Sequence, residues 1–93
     1  MTTLEKIKLA IRRSHNKLDE DLQADIDACL ADLRAVGIIK GDEDPLIYNA
    51  IKLYCRSTNT DNPTLAAEWF RRYESLKSSL MMMEGYREAV ADE

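Results

Sequence analysis

The chain has 93 residues, with 13 basic and 17 acidic side chains, a formal charge of −4 and only three glycines and two prolines. That length makes one domain with one modest core, burying roughly 60–65% of the surface its unfolded form exposes. Scarce Gly and Pro with many charges favour helices over sheets, no run approaches the ~18 apolar residues of a membrane-spanning helix, and the negative balance counts against nucleic-acid binding.

The N-terminus, Met-Thr-Thr-Leu-Glu-Lys, carries no apolar signal core, so a cytosolic protein is expected. Thr2 or Thr3 caps a first helix over about 4–13, in which Leu4, Ile7 and Ile11 fall at i, i+3 and i+7 and point inward. Leu9 lies on the opposite side and is a candidate contact to another subunit. Ser14-His15-Asn16-Lys17 breaks the helix. His15 is the single histidine, and with no nucleophile or ligand set placed beside it, it reads as a solvated loop residue.

The second helix is expected over about 19–36. Leu18 before it suits a hydrophobic staple, and Leu22, Ile26, Cys29, Leu30, Leu33 and Val36 follow the helical period. Gly37 stops it in a left-handed cap, and Ile38 and Ile39 cross the core. The charges of these two helices are segregated. Residues 1–17 hold Lys6, Lys8, Arg12, Arg13 and Lys17 against Glu5, whereas residues 18–32 hold six acids and no base. Three readings stand: solvated faces, pairing inside the subunit, or pairing between neighbouring copies in a ring.

The acidic loop 40–44 alternates Asp42 with Asp44, but Pro45, Leu46 at the third ligand position and Leu53 at the twelfth exclude an EF-hand-type calcium loop. Asp44 instead caps a third helix opened by Pro45, over about 45–57. Ile47, Ile51, Tyr54 and Cys55 share one face and Leu46, Ala50 and Leu53 an adjoining one. A helix apolar on two faces sits between neighbours, so this is the expected centre of the bundle. Its second face can take the first helix or a neighbouring subunit.

Six polar turn formers, residues 57–62, lead to Asn62-Pro63, which repeats the Asp44-Pro45 device and opens a fourth helix over about 63–82. Leu65, Trp69, Tyr73, Leu76 and Leu80 form its stripe, widened by Phe70, and Trp69 is expected in the core. Met81-Met82-Met83 follows, and Gly85 breaks the helix. Residues 1–83 thus read as one helical domain and 84–93 as a flexible C-terminal tail: either a frayed end or a docking arm, with Tyr86 as an anchor and the methionines as an adaptable surface. The expected fold is all-α, a small bundle of four helices.

Chemistry-bearing patterns are missing. There is no Gly-rich phosphate loop and no catalytic set. Cys29 and Cys55 fall on apolar faces and read as buried, reduced thiols rather than a disulfide or metal site. No metal ligands, cofactor or catalytic residues are assigned, and a non-enzymatic chain is expected. A helix-turn-helix reading fails because the connection between helices two and three is long and acidic and helix three is too apolar for a groove.

The order and spacing of Leu4-Glu5-Lys6-Ile7-Lys8-Leu9-Ala10-Ile11-Arg12, Ile26 to Leu33, Asp44-Pro45-Leu46-Ile47 with Ala50 to Tyr54, and Asn62-Pro63 with Ala67-Glu68-Trp69-Phe70 and Tyr73 to Lys77 resemble the small phage head–tail connector proteins, also called DNA-packaging or adaptor proteins. Each segment is a structural helix signature; the likeness lies in their order, spacing and loop lengths. The resemblance implies a virion structural subunit, monomeric in isolation or assembled with itself as a ring beneath the portal protein. Such a ring extends the DNA channel and receives a tail-side stopper or completion protein. It implies a place at the virion head–tail junction, with assembly in the host cytoplasm, no membrane partner, and at most non-specific contact with channel DNA. Candidate interface residues, chosen from the sequence itself, are Lys8, Leu9, Arg12 and Arg13 of helix one, Asp21 and Asp25 of helix two, and Met81, Met82, Met83 and Tyr86. A small helical interaction module or regulator of prophage origin is the alternative, and a nucleic-acid binder the third reading.

Overall fold

The computed structural model describes residues 2–11 and 19–86. Arg12, Arg13, His15, the staple at Leu18 and the segment 87–93 lie outside the described residues. The described chain forms α1 (Thr3–Ile11), α2 (Asp19–Ala35), α3 (Pro45–Thr58) and α4 (Pro63–Met81). The all-α expectation and its four helices hold; α2, α3 and α4 start at the expected residues and end within one residue of the expected ends, and α1 starts one residue early. Among the described residues, no helix is long and apolar enough to cross a membrane.

Local chemistry accounts for the helix ends. The Glu5 N–H donates to Thr2 Oγ1 at 3.1 Å while the Thr2 N–H donates to Glu5 Oε1 at 2.8 Å. This reciprocal capping box satisfies two donors that a helix start leaves open. At α3, Asp44 Oδ1 accepts from the Leu46 and Ile47 N–H groups. At α4, Asn62 Oδ1 accepts from Thr64 and Leu65. Proline follows each cap, where it has no N–H to strand.

The end of α2 is a Schellman turn. Gly37 has φ of +89°. Its N–H bonds the Arg34 carbonyl at 2.9 Å, and the Ile38 N–H bonds Leu33 at 3.0 Å. Leu33 and Ile38, the apolar pair that accompanies this motif, are both fully buried. Arg34 Nη1 donates to the Ile38 and Lys40 carbonyls and holds the departing chain against the helix end. Ile39 turns outward, so only Ile38 of the pair belongs to the core.

α3 packs against each of the other three helices, α1 and α2 also touch, and α4 rests chiefly on α3. The core comprises Ile7 and Ile11 of α1, Leu22, Ile26, Cys29 and Leu33 of α2, Ile38 of the connection that follows, Ile47, Ala50, Ile51 and Cys55 of α3, and Tyr73 and Leu80 of α4. Fully burying an aliphatic side chain stabilises the fold by about 1.5–3 kcal/mol. That burial, rather than intrinsic helicity, sustains a nine-residue helix such as α1. Leu46 and Leu53 are half-buried against this core.

One core expectation is corrected. Trp69 is only partly buried and lies outside the core cluster, and Leu65 and Phe70 are exposed. α4 rests chiefly on α3, so a stripe wide enough for two neighbours stays partly uncovered along its first half. Tyr73 and Leu80, farther along, are fully enclosed.

Candidate interaction surfaces

The segregated charges meet partly within the subunit. Lys8 Nζ and Asp19 Oδ1 are 2.9 Å apart, an exposed pair between α1 and the start of α2. Such a pair is screened by water and contributes little to stability. Asp25 faces the other way. Its carboxylate accepts from Thr58 Oγ1 at 3.2 Å and Asn59 Nδ2 at 3.4 Å, tying α2 to the C-terminal end of α3. Asn59 itself is buried, and its Nδ2 also donates to the Cys55 carbonyl at 2.6 Å. Of the charged residues proposed for an interface, Lys8 and Asp25 therefore hold internal bonds, and Asp21 projects outward. Leu9 is 54% exposed, on the side of α1 away from Ile7 and Ile11.

A second cluster, not anticipated from the sequence, joins α2 to α4. Tyr73 Oη donates to Asp32 Oδ2 at 2.6 Å, and Lys77 Nζ donates to the same oxygen at 2.9 Å and to Glu74 at 3.3 Å. The bond from Lys77, and then that from Tyr73, hold the Asp32 carboxyl below its usual range. Burial, and then the neighbouring Asp32 carboxylate, push the Tyr73 phenol well above its ordinary value. Burial alone would lower Lys77; its bonds to Asp32 and Glu74 outweigh this and raise it. Tyr73 also meets Tyr54 edge-on, with ring centroids 5.2 Å apart, and Phe70 at 5.7 Å.

The outer part of α4 carries an aromatic and basic surface. The Arg56 and Arg72 guanidinium groups lie 5.0 and 5.1 Å from the Trp69 ring centroid. Glu68 pairs with both Arg71 and Arg72, and those bonds hold its carboxyl low. Cation–ring contacts of this kind account for a tryptophan that stays ordered without being enclosed.

At the end of α4 and just past it the three methionines remain outward, Met82 at 84% exposure. Tyr86 does not. Its hydroxyl donates to both Asp44 carboxylate oxygens at 3.0 Å, its carbonyl accepts from the Ile39 N–H at 2.8 Å, and Lys40 lies 5.8 Å from its ring centroid. Burial acts to raise the Asp44 carboxyl, but the bonds from Tyr86, Leu46 and Ile47 together hold it low. The proposed anchor thus engages its own chain, at the residue that caps the central helix. Aromatic character after a glycine was the signal for an anchor; nothing local named Asp44 as its partner.

Among the described residues, no three His, Cys, Asp or Glu side chains come together as a metal site. Both cysteines are buried and neither is in a disulfide, and burial pushes Cys29 up to about 12, opposite to what a nucleophile needs.

The chain matches no family model, no curated protein and no solved structure.

Proposed function

We propose that this chain is a non-enzymatic structural subunit of a phage or prophage head–tail connector. It assembles with copies of itself as a ring beneath the portal, extends the DNA channel and presents a platform to a tail-side stopper or completion protein. The observation that carries the reading is the amount of apolar surface a 93-residue bundle leaves uncovered: Leu9 on α1, Leu65 and Phe70 on α4, and Met81 to Met83 at its C-terminal end. Exposed apolar side chains on three separate parts of a small domain suit a subunit with neighbours on more than one side. The exposed acids at the start of α2 suit the same role, because they can meet the basic side of an adjacent copy. The order of helix signatures along the chain supports the connector class over other helical modules.

The test is direct. Full-length protein mixed with its cognate portal is expected to give a stoichiometric ring by electron microscopy. Failure of both the intact protein and a tail-truncated form to bind the portal refutes the reading. Pull-down of a defined non-virion partner, with the protein missing from purified particles, replaces it with a regulator. Channel contact with DNA is expected to be weak and to weaken further with salt.

A further inference from the structure

The segment after α4 forms a latch with separable parts. Residues 82–85 reverse the chain, and Tyr86 then docks on the connection between α2 and α3 through Ile39, Lys40 and Asp44. Gly85 makes the reversal possible with φ of +92°, and a side-chain carbon built there would meet nothing within 4 Å. The glycine is therefore required by backbone conformation and not by crowding, as expected of a hinge. Inside the turn, the Tyr86 N–H bonds the Met83 carbonyl at 3.3 Å. No core residue lies between Met81 and Tyr86.

We propose that this latch is exchangeable between copies of the chain, so that Tyr86 of one subunit docks on Ile39, Lys40 and Asp44 of another. The inference rests on the reading of this protein as a subunit that assembles with itself. An exchanged arm remakes the same contacts in trans. The two states then differ by the hinge conformation, the cost of association and whatever new surface is covered. New surface is at hand, because the closed latch leaves apolar side chains bare on both of its parts. Met82 and Met83 of the arm are exposed, and so is Ile39 of the dock. Opening the 82–85 turn carries the methionines into the space between two subunits, where flexible thioether side chains adapt to a neighbour.

Trans-complementation tests this on the full chain. Tyr86→Ala removes the arm's anchor. Asp44→Ser removes the acceptor for Tyr86 and keeps a residue that caps α3 well. Sedimentation of the wild-type chain from about 10 μM to about 1 mM is expected to show concentration-dependent association. Each variant alone is expected to associate at least tenfold more weakly, with unchanged helical circular dichroism. An equimolar mixture of the two is expected to recover association. Only there can an intact Tyr86 meet an intact Asp44, and only across the subunit boundary. A mixture no better than either variant alone overturns the exchange, as does a wild-type chain monomeric throughout the range. Association that neither variant weakens also overturns it, yet leaves self-assembly through other surfaces standing; the portal experiment decides that separately.

Discussion

Replacing Tyr73 with phenylalanine isolates the bond between α2 and α4. The ring is fully buried, and phenylalanine preserves its volume, so a purely packing role predicts almost no change. The hydroxyl, however, donates to the Asp32 carboxylate at 2.6 Å. A hydrogen bond to a charged acceptor contributes about 1.5–3 kcal/mol. Asp32 is 42% exposed and keeps Lys77, so water and the ammonium group compensate in part and the lower end applies, about 1.5 kcal/mol. With an unfolding entropy near 0.2 kcal/mol/K for a domain of this size, the melting temperature is expected to fall by about 7 °C. Thermal unfolding followed by circular dichroism at pH 7 reads it. A fall below about 2 °C refutes the assigned role of the hydroxyl.

The pH dependence of the same cluster supplies an independent check. Asp32 has its carboxyl held low in the folded state. Its contribution is therefore present above the unfolded value, near 3.8, and is lost as pH falls through the folded one. Lys77 is raised, so its contribution is present below the unfolded value, near 10.5, and is lost as pH rises through the folded one. The stability difference between wild type and Asp32→Ala is expected to stay level from about pH 5 to pH 9 and to narrow on either side. A difference that is flat down to about pH 2 contradicts the assignment of the bond.

Three further outcomes follow from the packing. Trp69→Ala is expected to cost about 1–2 kcal/mol, well below the roughly 2–5 kcal/mol of Ile51→Ala, because Trp69 is partly exposed and Ile51 fully enclosed; equal losses in urea melts contradict the placement of α4. Gly37→Ala is expected to destabilise by about 1 kcal/mol through its positive φ alone, since the space beside it is open, and a neutral result in the same assay refutes a left-handed cap. Cys29, buried and with its thiol pushed up to about 12, is expected to react with a thiol reagent at pH 8 only as fast as the chain unfolds; rapid labelling of the native protein overturns its burial.

The local features were the most legible. Asp44-Pro45 and Asn62-Pro63 announce helix starts because cap and proline act on the next three residues only, and the structure shows both caps bonded. Gly37 announces a helix end for the same reason. The two apolar faces of α3 were legible from spacing, since a helix that must touch three others has to be apolar around much of its circumference. Trp69 was misplaced because spacing reports which residues share a face, not how many helices cover it. The capping box at Thr2 and Glu5 was within reach as a Thr-x-x-Glu pattern. The Asp32–Tyr73 bond, 41 residues apart in sequence, and the Tyr86–Asp44 bond, 42 apart, had no local signal. The charge blocks of helices one and two left pairing within the subunit as one of three readings, and the choice of Asp19 for Lys8 belongs to the tertiary arrangement.

Asp44 serves two donors from distant parts of the chain: the amides that begin α3 and the hydroxyl of Tyr86. During synthesis these arrive at different times. The amides at 46 and 47 leave the ribosome almost together with the carboxylate, so the central helix can start as soon as it emerges. The tyrosine follows some forty residues later, after α4 has been made. The second bond therefore closes only on a chain translated through residue 86, and a product cut short within α4 keeps its helix start but leaves Asp44 and the Ile39 N–H without their bonds to Tyr86.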